Sequence, residues 1–286
     1  MTHYPRRPLA YVRVPTDAAN AYERFYSDLL GCEAIQLRPG CLAFRCDSRA
    51  RSIVVSNAER ESTIGLELSD DAMLGEMKDH LSRMGVAWVE MAQDRCADRL
   101  IRAGISVDFG AGYHIELVVG PRISARRFYP TVDSGLDGLS TLGLKSTRID
   151  EDVRFWVDVL GARVSDRVGD IAYLRLDEAH HRIALYPSDT RGVLYIGIGI
   201  RSSDYLMQNT YGLQERQVQV VHGPGCESAS GRLFVRMQGP EHILISLEYD
   251  EQEVRPDRQP RYFELSHESL CMWGSRCTEV KELAIA

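Results

Sequence analysis

Phe25-Tyr-Ser-Asp-Leu-Leu-Gly31 returns as Phe155-Trp-Val-Asp-Val-Leu-Gly161, 130 residues further along the chain. The same spacing carries Asp47 onto Asp177 and Ile53-Val-Val55 onto Ile183-Ala-Leu185. Residues 8–57 and 138–187 therefore share one pattern: a strand, an amphipathic helix ending at Gly, then short strands. A second pair of blocks follows. Ile64-Gly-Leu-Glu-Leu68 matches Ile196-Gly-Ile-Gly-Ile200 at a spacing of 132, which also puts Ile115-Glu-Leu-Val118 on Leu247-Glu-Tyr-Asp250. A helix over 72–84 places Met73, Leu74, Met77, Leu81 and Met84 on one apolar stripe. β-Branched and aromatic runs with turn residues between them predict the remaining strands.

Four βαβββ modules, taken in twos, give an α+β chain of two similar domains. Each is predicted to be a cupped, eight-stranded mixed sheet with its helices outside, since a lone four-stranded module leaves one apolar face uncovered. The domains are residues 1–120 and 137–286, the latter with a C-terminal tail, joined by a linker over 121–136 rich in Pro, Arg and Ser. In this pairing Tyr11 lies over Thr141 and Glu116 over Glu248. The hollow of each cup is a small-molecule pocket by shape.

Composition narrows the options. The 286 residues are 44% hydrophobic and 26% charged, an ordinary globular balance. A net charge of −7 argues against a nucleic-acid partner, and no apolar run reaches the length of a membrane span. The first residues lack the apolar stretch of a secretory signal. The seven cysteines include no Cys-x-x-Cys pair, so a reducing cytoplasm is expected.

The module pattern resembles the vicinal oxygen chelate superfamily, and further features resemble its two-domain type I extradiol dioxygenases, which cleave catechol rings with Fe(II). Leu9-Ala-Tyr-Val12 resembles the opening of that family, and Gly138-Leu-Ser-Thr-Leu-Gly-Leu144 its Gly-Leu-Gly-His-x-x-Leu. Ala179-His-His-Arg-Ile-Ala184 resembles its Arg-His-His-Thr-Leu-Ala. Leu247-Glu-Tyr249 resembles the Val-Glu-Tyr that carries the metal carboxylate, and Met272-Trp-Gly-Ser275 the Trp-Gly-His tail. The likeness runs from about residue 8 to 275. It implies that the C-terminal domain holds the site and the N-terminal site is vestigial.

In that family two His and one Glu hold the iron and leave adjacent positions for a bidentate catecholate and dioxygen. Carried over, those ligands fall on Thr141, Tyr195 and Glu248, with Tyr11, Thr63 and Glu116 as the vestigial set. A neutral Thr hydroxyl is a poor ligand, and a phenol binds a cation usefully only when ionised, with a reference pKa of about 10. No cofactor is therefore expected. Fe(II) or Mn(II) enters only if substitute ligands such as Glu248, His180 and His222 converge.

The resemblance makes His180 the acid–base residue, with Glu248 and Tyr195 as its catalytic partners. Strand alternation would turn its ring toward the space between Thr141, Tyr195 and Glu248, and send His181 to the opposite face. Thr141, His222 and Phe234 are the candidate substrate contacts. Each has a bland alternative: a rim histidine, a satisfied core tyrosine, a Glu248 paired to an arginine such as Arg236. Three functions remain open: a metal-independent enzyme on a phenolic, catecholic or quinonoid molecule, a dioxygenase with substitute ligands, and a binding or scaffold protein. The expected partner is a small aromatic molecule, and the sequence also leaves room for a homo-oligomer.

Overall fold

The computed structural model describes residues 4–250 and 253–285. In the first half, β1 (Leu9–Pro15) leads into α1 (Ala19–Glu23), which runs on as a π-helical turn (Arg24–Leu29). β2 (Glu33–Arg38), β3 (Cys41–Arg45) and β4 (Ile53–Ser56) complete that module. The next comprises β5 (Ser62–Leu68), α2 (Asp71–Arg83), β6 (Trp88–Glu90), α3 (Gln93–Arg99), β7 (Ala103–Asp108) and β8 (Tyr113–Val119). The second half repeats the plan. β9 (Leu136–Ser146), α4 (Ile149–Arg154) with its own π-helical turn (Phe155–Val159), β10 (Arg163–Val168), β11 (Ile171–Arg175) and β12 (Ile183–Pro187) form the third module. β13 (Gly192–Ile200), α5 (Ser203–Glu215), β14 (Val220–Cys226), β15 (Leu233–Gln238) and β16 (Leu244–Tyr249) form the fourth.

The first sheet runs β2-β3-β4-β1-β5-β8-β7-β6, and β10-β11-β12-β9-β13-β16-β15-β14 follows the same order in the second. Both are mixed, because β1 pairs parallel with β4 and antiparallel with β5. The second sheet has ten strands rather than eight. The tail adds β17 (Arg261–Phe263) beside β10 and β18 (Trp273–Gly274) beside β14, with α6 (His267–Leu270) between them.

Local chemistry explains the helix ends. Asp70 caps α2 by accepting from the Met73 amide, and Ser202 caps α5 through the Tyr205 amide. Leu74, Met77 and Leu81 are buried, whereas Met84 lies past the helix end and is 48% exposed. Gly31 and Gly161 leave their π-helical turns at φ +82° and +75°, a left-handed exit that favours glycine. A Cβ at Gly31 would also meet the Val132 backbone at 2.7 Å.

The domains are tied through these same ends. Arg216 donates to the Asp28 carbonyl at 3.0 Å, and His80 Nε2 lies 3.0 Å from the carbonyl of Asp158, the counterpart of Asp28. Phe109 stacks on Phe155 at 3.9 Å between ring centres. No helix among the described residues is long and apolar enough to cross a membrane.

Candidate functional site in the C-terminal cup

Strand pairing lines up one residue from each of five strands across the C-terminal cup. The row is His222 (β14), Arg236 (β15), Ser246 (β16), Gly197 (β13) and Thr141 (β9). The corresponding row in the N-terminal cup is Val89, Ser106, Glu116, Gly65 and Tyr11. Tyr11 thus corresponds to Thr141 as expected. Glu116, however, corresponds to Ser246. Glu248 sits two residues further along the same face, beside Phe234. The sequence alignment missed this because the last two strands are offset by 130 residues and not by the 132 of β5 and β13.

Both carboxylates are nevertheless treated alike. Glu116 accepts from the Tyr11 hydroxyl and from the Arg95 and Arg99 guanidinium groups. These cations and that hydroxyl hold its carboxyl below the usual range against the opposing effect of burial. Glu248 accepts from Thr141 Oγ1 at 2.9 and 2.8 Å and from Arg232 Nη1 at 3.4 Å. Gly197 makes that approach feasible, since a Cβ there would lie 2.7 Å from Glu248 Oε1. The partner of Glu248 is thus Arg232, which also reaches Asp250 at 2.9 Å.

His180 does not face Thr141, Tyr195 and Glu248. Its Nε2 lies 2.9 Å from Asp166 Oδ2 and its Nδ1 lies 3.0 Å from His181 Nδ1. His181 in turn sets Nε2 3.0 Å from Arg232 Nη1. The alternation argument fails because both histidines precede β12, in a bend where the strand period does not hold. The donors then fix every proton in the chain. Arg232 can only donate, so His181 Nε2 accepts and its proton sits on Nδ1. That proton goes to His180 Nδ1, which leaves His180 Nε2–H to donate to Asp166. Burial and the Arg232 charge push the His181 pKa well below its ordinary value, which keeps it neutral. Asp166 is fixed by Arg258 at 2.8 Å and Arg261 at 2.7 Å, and its carboxyl is held far below the usual range.

Tyr195 is fully buried with its ring 4.7 Å from the Arg236 guanidinium, and Phe234 lies 4.4 Å from the same group. His222 packs edge-on against Phe234 at 4.7 Å. Burial and the Arg236 charge lower the His222 pKa to about 3, so it is neutral. The cup is largely filled. Leu270, Cys277 and Leu283 of the tail pack with Tyr186, Tyr195 and Leu244 in one apolar cluster. Two openings remain. A cleft of about 150 Å³ is lined by Arg182, Gly199, Arg232, Glu248 and Asp250 among others. A second cavity of about 150 Å³ lies under the tail, against His222, Leu270, Cys271 and Cys277.

The donor set does not fit a divalent metal. Glu248 is engaged by Thr141 and Arg232, and His180 by Asp166 and His181. Among the described residues no group of three His, Cys, Asp or Glu side chains could hold an ion. The substitute set of Glu248, His180 and His222 is therefore not brought together.

Arg232, Asp166 and Ser246 were missed in the sequence reading, and Arg236, named there as a partner for Glu248, gives that place to Arg232. A signal was available for the arginines: Arg232, Phe234 and Arg236 alternate along a strand that packs its other face on the core.

No protein-family model matches the chain. An iron-dependent extradiol dioxygenase of Rhodococcus jostii (strain RHA1) is 28% identical over 221 residues, covering 69% of this chain and 74% of that protein. A halotolerant catechol dioxygenase, BphC, superposes with a TM-score of 0.86 at 20% identity, over 96% of each chain. The Mn(II)-bound glyoxalase from Novosphingobium aromaticivorans superposes with a TM-score of 0.81 at 21% identity, over 94% of this chain and 91% of that one. The chain thus has the two-domain, paired-module fold of these structures. In sequence it is similar to an iron-dependent extradiol dioxygenase.

Proposed function

We propose that the C-terminal cup acts on a small aromatic molecule, phenolic, catecholic or quinonoid, by metal-independent proton transfer with Glu248 as the acid–base group. The observation that carries this reading is the Thr141–Glu248–Arg232 cluster at the wall of the cleft. In the resemblance, Thr141 and Tyr195 stand where the family has its iron-binding histidines, and the remaining carboxylate is bonded to a hydroxyl and a guanidinium. A carboxylate offers about four lone-pair positions, so capacity remains on the side that lines the cleft. Thr141 and Arg232 orient it, and it takes a proton from a phenolic hydroxyl or an activated ring carbon and returns it. Such a group contributes roughly 10²- to 10⁴-fold in rate. His180 acts here as a positioning residue: with Asp166 and His181 it fixes Arg232. The relatives' aromatic substrates support the substrate class.

Two measurements test this. Protein loaded anaerobically with Fe(II) and then exposed to dioxygen with catechol or dihydroxybiphenyl is expected to hold sub-stoichiometric iron and to form no ring-opened product. One tightly bound iron per chain, with a yellow product, would restore the dioxygenase reading. Ring-proton exchange of phenolic probes in D₂O, followed by NMR, is expected to be accelerated by the protein and lost in Glu248→Gln. Saturable binding with no exchange would make the chain a binding protein, which the enclosed setting of His180 favours as the second reading.

A further inference from the structure

Buried polar atoms without partners cluster at one place in this chain. Arg236 Nε, Ser246 Oγ and His222 Nδ1, consecutive members of the cross-strand row, have no hydrogen-bond partner among the described residues. The Tyr195 hydroxyl lies beside them, set against that of Tyr186. Leaving a buried polar group unpaired costs stability, and three in one row mark a place shaped for a polar guest.

The charge at that point identifies the guest. Arg236 is charged and almost wholly buried, yet the carboxylate it pairs with among the described residues, Glu227, is 3.5 Å from Nη2. Charge-assisted hydrogen bonds close to about 2.7–2.9 Å, so this pairing leaves most of the guanidinium fork unused. Glu227 is itself shared, accepting from Ser230 at 2.6 Å. The flanking surfaces are rings: Tyr195 and Phe234 lie on Arg236, and His222 lies on Phe234. His222 also borders the cavity under the tail.

We infer that the deep end of the C-terminal cup is a carboxylate-binding site, in which Arg236, Tyr195 and Ser246 take the ionised acid group of an aromatic ligand. A planar fork matches two carboxylate oxygens. The two hydroxyls supply further donors, and the rings pack the aromatic body. The ligand class of the proposed function thereby becomes aromatic carboxylic acids, and the inference rests on that function only in placing an aromatic ligand in this cup.

The test compares 4-hydroxybenzoate with its neutral counterparts 4-hydroxybenzamide and phenol, by titration calorimetry on the full chain. The acid is expected to bind at least 10-fold more tightly than the amide. Arg236→Gln is expected to remove that preference, a loss on the order of 10- to 100-fold for a hydrogen bond to a charged group. Because Arg236→Gln strands Glu227 and could impair folding, Tyr195→Phe and Ser246→Ala serve as milder variants. Each deletes a hydroxyl and is expected to weaken the acid about 3- to 10-fold, and Ser246→Ala, which removes an unpartnered one, is expected to leave the melting temperature unchanged or higher. A preference for the acid that survives Arg236→Gln, or that is absent from the wild type while phenol and the amide bind, overturns this inference and leaves the aromatic reading standing. Binding of none of the three probes overturns both.

Discussion

Replacing Arg232 by Met should be among the costliest single changes in the C-terminal domain. Arg232 is 1% exposed and bonds His181 Nε2 at 3.0 Å, Asp250 at 2.9 Å and Glu248 at 3.4 Å. Its removal strands a buried carboxylate, at about 3–5 kcal/mol, and leaves His181 Nε2 without its donor, at about 1–3 kcal/mol. The two losses overlap, so about 4–5 kcal/mol is expected in total. Glu248→Leu alone should cost less, about 2–3 kcal/mol by the same reasoning, because Asp250 still neutralises the guanidinium. The pair Arg232→Met with Glu248→Leu removes both charges and should cost at least about 2 kcal/mol less than the sum of the single changes. Guanidinium unfolding followed by near-ultraviolet circular dichroism, across all four members of the cycle, reads these values directly. Salt supplies a control: the buried pair should be insensitive to it, unlike the exposed Lys281–Asp189 bridge. A cost below about 1 kcal/mol for Arg232→Met, or strict additivity in the cycle, would refute the claim that Glu248 is held by this cation.

Three further outcomes are expected. His180→Ala should lower stability by about 2–4 kcal/mol, because it leaves Asp166 and His181 each short of a buried partner, while His114→Ala, at a partly exposed position near the start of β8, should stay within about 0.5 kcal/mol by thermal melting. The neutral His222 makes stability depend on acid: its contribution is complete above about pH 6.5, the unfolded value, and is lost as pH falls toward the folded value of about 3. Acid unfolding should therefore steepen in that window by up to about 4 kcal/mol, and His222→Phe should flatten it. Ending the chain before Cys277 removes Cys277 and Leu283 from the cluster around Tyr186 and Tyr195. The truncated protein should bind the dye ANS where the full chain does not, and equal dye binding by the two would mean that the tail does not cover the cup.

The fold was legible because it is written twice. Apolar strands and glycine-ended helices recur at spacings of 130 and 132 residues, and each repeat constrains the reading of the other. The tail strands were not legible: Arg261–Phe263 and Trp273–Gly274 are three and two residues long, too short for any alternation, and they form by pairing with edges that only the folded sheet provides. The site was legible as a set of strands and illegible as a set of contacts. Thr141 and Glu248 were placed on one face and do touch. His180 was assigned to that face by a strand period that begins three residues later, at Ile183. Arg232 as the partner of Glu248 depends on how far a long side chain reaches across a cup, which no spacing encodes.

The contrast between the two cups supports the proposal that function sits in the second. In the N-terminal row, Tyr11 spans the space and bonds Glu116, whose other contacts are Arg95 and Arg99 of α3. Tyr11 also packs with Met91, Cys96 and Ile101 in a buried apolar cluster. None of the residues in that row carries a buried polar atom without a partner among the described residues. The N-terminal cup therefore satisfies itself. In the C-terminal row, Thr141 is too short to fill the same space, Ser246 replaces the carboxylate, and Arg236 and His222 bring a cation and a ring where the first domain has Ser106 and Val89. The exchanges remove bulk and add unpaired donors together. A core relieved of selection for a ligand would be expected to drift toward packing and satisfaction, as the first cup has. The second keeps a buried charge, loosely paired, among aromatic rings, an arrangement that costs stability and is accounted for by a guest that completes it.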